Sequence, residues 1–84
     1  MKPVRIYTTP ICPYCVRAKT LLKKKGAEVE EVDVFMDEVA RAEMESRSGG
    51  ARSVPQIFIG DTHVGGCDEL HALEKDGKLD PLLA

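Results

Sequence analysis

No stretch of this 84-residue chain is apolar over the ~18 residues a membrane-crossing helix needs, so no transmembrane helix is expected. The opening MKPVRIYTT lacks both the apolar segment and the small-residue cleavage site of a secretory signal, and the expected location is the cytoplasm. Positive charge is not in excess. Twelve Lys and Arg against fourteen Asp and Glu leave a formal charge of −2, opposite to the basic footprint of a nucleic-acid binder, and no nucleic-acid or membrane partner is expected. The one basic run, Lys23-Lys24-Lys25, stands just before Gly26 and reads as a solvated helix end whose cations complement the helix dipole. Repeats, linkers and low-complexity segments are missing too, and the length suits a single domain over 1–84.

Cysteine is scarce, with three residues at 12, 15 and 67. Structural disulfides are rare in the cytoplasm, so these thiols point to catalysis or metal binding rather than to a stapled framework. A zinc site needs four ligands. Beyond Cys12 and Cys15 the chain offers only Cys67, His63 and His71, with no second pair at finger spacing, and no metal site is expected. His63 beside a turn and His71 in the last helix read as exposed or half-buried surface residues. Cys67, the odd thiol, reads as a small apolar residue with a useful backbone N–H.

Periodicity gives the order strand, helix, strand, helix, strand, strand, helix. VRIYT (Val4 to Thr8) alternates as a strand with core on one face, and Pro10 ends it. From Pro13, a suitable first helical residue, Ala18, Leu21 and Leu22 recur at three and four positions until Gly26. EVEEVDV (Glu28 to Val34) suggests a second strand, although Val29 is out of register with Val32 and Val34, a mismatch that a bend or bulge would absorb. Asp37 is a plausible N-cap for a helix with Val39, Ala40 and Met44 inward and Gly49-Gly50 as terminator. VPQIFIG and THVGG, joined at Gly60-Asp61, form an antiparallel hairpin. A last helix runs from Cys67 or Asp68 to Gly77 with Leu70 and Leu73 inward. LDPLLA is then a tail pinned by Leu79, Leu82 and Leu83. The expected fold class is α/β, a mixed sheet of four strands flanked by three or more helices.

The pair in CPYC opens the first helix. The first cysteine then lies at the cap and the second in the first turn, so the sulfurs share a face and only Cys12 is well exposed. Pro13 has no N–H to leave unpaired, and the amides of Tyr14 and Cys15 are available to the Cys12 sulfur. Lowering a thiol from ~8.5 to ~5.5 corresponds to about 4 kcal/mol of preference for thiolate. Nucleophilicity falls with pKa at a slope of ~0.4–0.5, so as an attacking group Cys12 roughly breaks even. The gain is as a leaving group, which favours turnover through a Cys12 intermediate over capture.

CPYC, SVPQIFIG and GGCDEL, in this order and spacing, resemble a dithiol glutaredoxin of the CPYC type over essentially the whole chain. The resemblance implies a thioredoxin-like fold and a glutathione-dependent thiol–disulfide oxidoreductase. Such an enzyme reduces protein–glutathione mixed disulfides and protein disulfides, and its oxidised form is re-reduced by glutathione. By that resemblance Cys12 is the nucleophile and Cys15 the resolving thiol. The glutathione-binding residues are Tyr14, Arg52, Ser53, Val54, Pro55, Gly66, Cys67 and Asp68, with Val54 offering backbone groups before a cis Pro55. Arg52 is expected to meet the glycine carboxylate, Asp68 the amino group, and the Gly66–Cys67 backbone the γ-glutamyl end.

Glutathione is thus expected as a co-substrate, with no tightly bound cofactor. Glutathione reductase and NADPH supply electrons indirectly, and clients are glutathionylated or disulfide-containing proteins, with ribonucleotide reductase one candidate. The protein itself is expected to be a monomer. Two departures stand out: the family often has lysine where this chain has Thr9, and threonine where it has Ser53. Two alternatives remain open, a [2Fe–2S] carrier shared between subunits and a thioredoxin-like donor. Proline inside CPYC is less typical of the first, and the absence of tryptophan argues against the second.

Overall fold

A computed structural model describes residues 1–84, and the expected alternation appears with one helix more at the end. The elements are β1 (Val4–Thr8), α1 (Pro13–Lys24), β2 (Val29–Asp33), α2 (Glu38–Arg47), β3 (Gln56–Ile59), β4 (Thr62–Gly65), α3 (Cys67–Lys75) and α4 (Leu79–Leu83). The sheet order is β2-β1-β3-β4, with β1 parallel to β2 and antiparallel to β3, and β3 antiparallel to β4. No helix is long and apolar enough to cross a membrane.

Because β1 is interior to the sheet, core covers both of its faces rather than the one expected. Val4 and Ile6 join Ile57, Ile59, Ala18, Leu22, Leu70 and the α4 residues Leu79 and Leu83 on one side. Tyr7 joins Phe58, Val34, Ala40 and Met44 on the other. Removing a buried leucine such as Leu22 to alanine would cost about 2–5 kcal/mol, a large share of the stability of so small a domain.

The same two-sided arrangement resolves the valine mismatch of β2. No bulge is present: the pairing with β1 runs regularly from Val4↔Val29 to Thr8↔Asp33. Val29 packs against the first cluster and Val32 and Val34 against the second, so an odd spacing is what two cores require. The register irregularity lies instead in the hairpin. There His63 opposes Phe58 and Gly65 opposes Ile57, leaving Val64 as the extra residue of a bulge.

Helix α2 corrects one expectation. Asp37 caps it, its Oδ1 accepting from the Ala40 N–H at 2.9 Å, and Ala40 and Met44 face the sheet, but Val39 is 80% exposed. Ala40 and Met44 are one i,i+4 pair, and Val39 lies about 100° around the helix from Ala40. The C-terminal LDPLLA is helical rather than an irregular tail, and Leu79 and Leu83 hold it to the core as expected. Lys25, last of the basic run, bridges Glu74 of α3 at 2.8 Å and Asp80 of α4 at 3.0 Å, which ties the end of α1 to both.

Candidate active site

Strand β1 ends at Thr8 and α1 starts at Pro13, so the short connection sets Cys12 beyond the C-terminal end of β1 as the N-cap of α1. Its backbone is extended (φ −148°, ψ 98°), the conformation in which a cap side chain turns back toward the helix amides. The Cys15 N–H donates to Cys12 Sγ at 3.1 Å. Of the two amides expected to reach the sulfur, this is the one that does. Cys12 is half-buried and Cys15 buried at 1% exposure. The two Cα atoms are 5.2 Å apart and the sulfurs are joined as a disulfide. The first turn of α1 thus holds one half-buried and one fully buried sulfur.

On the β3–β4 side lies a groove of about 190 Å³. Tyr14 forms one wall; Ser53, Val54 and Pro55, leading into β3, form another; Gly66, Cys67, Asp68 and Glu69, opening α3, form the third. The Val54–Pro55 bond is cis, as the resemblance implied. Seven of the eight glutathione-binding residues named from the sequence thus come together around one groove. Arg52 does not join them: its side chain is 83% exposed and its Nε lies 3.7 Å from Glu45 Oε1 on α2.

Two devices shape this groove that sequence reading did not find. The Gly66 N–H donates to Glu69 Oε1 at 2.6 Å, so this helix-start amide is already used, and the amides left over belong to the next residues, Cys67 and Asp68. An acid three residues after the cap is the capping-box spacing and could have revealed it. Gly65, at φ 112°, leads into the turn, and a Cβ there would come within 2.9 Å of Glu69 Oε1. The second device is a chain of side chains behind the Ser53–Val54 wall. Gln56, 4% exposed, donates through Nε2 to the Ser53 carbonyl at 3.0 Å, and its Oε1 meets His63 Nε2 at 2.7 Å. His63 stacks on Phe58, with ring centroids 4.8 Å apart.

A second depression, of about 330 Å³, reaches the dithiol from the β1–β2 side and carries Thr8, Lys19 and Glu31 beside both cysteines. Lys19 Nζ lies 2.9 Å from Glu31 Oε2, and the Thr8 hydroxyl donates to the same oxygen at 2.7 Å. These two partners hold the Glu31 carboxyl below the usual carboxylate range. Cys67 is 4% exposed and belongs to the core, and burial pushes its thiol up. No three His, Cys, Asp or Glu side chains converge as a metal-ligand set.

The chain as a whole is similar to known proteins. The family model for glutaredoxin matches residues 4–64. A glutaredoxin of Pseudomonas aeruginosa is 57% identical over 84 residues, covering 100% of this chain and 99% of that one. The solution structure of a glutaredoxin from Brucella melitensis superposes with a TM-score of 0.84 at 60% identity, covering 99% of this chain and 89% of the other. A buckwheat glutaredoxin crystallised in complex with glutathione gives 0.86 at 33% identity, covering 98% and 76%. The architecture is the thioredoxin-like fold of these neighbours, with Cys12 and Cys15 in the place of a CPYC dithiol, and the chain belongs to the glutaredoxin family of thiol–disulfide oxidoreductases.

Proposed function

We propose that the protein is a glutathione-dependent oxidoreductase, a single domain over residues 1–84, that reduces protein–glutathione mixed disulfides and protein disulfides. The observation that carries this reading is the groove of Tyr14, Val54, Pro55, Gly66, Cys67 and Asp68, whose Tyr14 wall belongs to the helix that the half-buried Cys12 caps. The buckwheat relative's complex with glutathione supports the ligand.

Reduced Cys12, as thiolate, attacks the glutathione sulfur of a protein–glutathione mixed disulfide. The protein sulfur leaves as thiolate and takes a proton from water, and glutathione remains on Cys12. The thiolate of a second glutathione attacks that glutathione's sulfur, Cys12 leaves as thiolate, and oxidised glutathione is released. With a protein disulfide, Cys12 attacks one sulfur and the other leaves as a thiol. Cys15, having lost its proton, then attacks Cys12 Sγ, releasing the second client thiol and closing the Cys12–Cys15 bond. One glutathione thiolate attacks Cys12 Sγ, Cys15 leaves and takes a proton, and a second glutathione then frees Cys12 and departs with the first as oxidised glutathione. The groove's part is to hold the tripeptide. Val54 presents its backbone as an added strand would, the Cys67 amide meets a carboxylate, and Asp68 takes the α-amino group. Arg52 can meet the glycine carboxylate only after leaving Glu45.

Steady-state reduction of a small glutathione mixed disulfide, coupled to glutathione reductase and NADPH, tests the reading. Wild type and Cys15→Ser should turn over and Cys12→Ser should not. An inactive wild type would overturn it.

A further inference from the structure

Apart from Met1, every large apolar side chain left exposed falls in two short segments, Ile11, Tyr14 and Val16 around the dithiol and Phe35, Met36 and Val39 after β2. The segments meet. The Val34 N–H donates to the Thr8 carbonyl at 2.9 Å, so the chain leaves β1 and β2 side by side, and Pro10, Ile11 and Phe35 line one depression of about 200 Å³. Ile11 is 93% exposed and Met36 88%.

The loop that displays Phe35 and Met36 is held in place. Asp33 Oδ1 accepts from the Phe35 N–H at 2.8 Å, and the Asp37 N–H donates to the Val34 carbonyl at 3.4 Å. Met36 sits at φ 62°, where an L side chain crowds the following carbonyl and glycine or asparagine would be at ease. Its rim is acidic. Residues 27–40 carry six Asp or Glu and no base, and although Glu30 and Glu31 are ion-paired, Asp33, Asp37 and Glu38 meet no cation.

We propose that Ile11, Phe35 and Met36 form a docking face for the polypeptide of disulfide-bearing clients. It selects segments with an apolar residue beside the reacting cysteine and a basic residue beyond it. The reaction itself fixes the occupant. In the mixed disulfide a client cysteine Cα lies about 5.5–6 Å from that of Cys12, so its sequence neighbours lie against Ile11 and what adjoins it. The sheet order separates this face from the groove: Val54 and Gly66 flank β3 and β4, whereas Ile11 and Phe35 follow β1 and β2. Glutathione and client polypeptide therefore address Cys12 from opposite flanks. The inference rests on the proposed function only in that Cys12 forms the mixed disulfide.

The test uses pre-reduced protein in a single turnover, without glutathione, against two peptides that each contain one disulfide. One has leucine beside a cysteine and lysine beyond; the other has serine and glutamate at those places. Wild type should react about fivefold faster with the first, and Phe35→Ser combined with Met36→Gly should bring the ratio below about twofold. Both positions are exposed and glycine suits the Met36 backbone, so the variant should fold, and its turnover of a small glutathione mixed disulfide should stay within about twofold of wild type. No peptide preference in wild type, or a preference the variant keeps, would overturn the proposal. Failure of the glutathione reading would show only in the mixed-disulfide arm.

Discussion

The backbone N–H of Cys15 points at the sulfur of Cys12 across the first turn of α1, 3.1 Å away. That amide is one the helix leaves unpaired, aimed where a Cys12 thiolate would form, and Thr9, three residues before Cys12, brings no cation to the sulfur. Thr9→Lys should therefore add to the amide's effect. The pH midpoint of Cys12 thiolate absorbance, read in a Cys15→Ser background, should fall by up to roughly one pH unit. An unmoved midpoint would mean that position 9 exerts no field on the sulfur.

Behind the groove, Gln56 anchors the Ser53 carbonyl and is itself held by His63. Gln56→Leu removes the anchor and leaves the shape of the core nearly intact. We expect KM for glutathione to rise about fivefold, as loss of about one kcal/mol of hydrogen bonding implies, while the alkylation rate of Cys12 is unchanged. Equal losses in both would mean that Gln56 merely supports the fold.

Much of this was legible in the sequence because the strongest signals are local. Pro13 and Gly26 bracket α1, Asp37 caps α2, and Gly60-Asp61 turns the hairpin. The groove was legible through the three motifs together, since their loops follow β1, precede β3 and follow β4 at one end of the sheet. What escaped depends on packing that no short window contains. The odd spacing of Val29 and Val32 signals a strand with core on both faces, and Val39 is outward because the helix needs only Ala40 and Met44 inward. Arg52 matched by position, yet Glu45 on a neighbouring helix draws it away. The Gln56–His63 contact joins two strands across a bulge.

Glu31 links the dithiol's surroundings to stability. Its carboxyl titrates below the usual range because Lys19 and then Thr8 bond the charged form. A depressed carboxylate stabilises the fold fully above its unfolded pKa of ~4.3 and loses that contribution as pH falls through the folded value. Since Lys19 and Glu31 are 24% and 43% exposed, solvent screening limits the pair to about 0.5 kcal/mol. Glu31→Gln should lower the melting temperature by roughly 2–4 °C at pH 7, with the gap closing near pH 2. A gap independent of pH would assign the effect to packing.

Cys67 should be the slow thiol. It is buried in the core and its thiol titrates above the ordinary value, so little thiolate is present or accessible at neutral pH. Iodoacetamide at pH 7 should label Cys12 of the reduced protein at least about a hundredfold faster than Cys67, followed by mass spectrometry of the peptides. Comparable rates would mean that α3 opens readily.

In the proposed reaction Cys12 carries glutathione during turnover. Reduced Cys15→Ser protein, mixed with a glutathione mixed disulfide and analysed by intact and peptide mass spectrometry, should show one glutathione, on Cys12, released on adding free glutathione. Absence of an adduct, or an adduct on Cys67 in its place, would contradict the account.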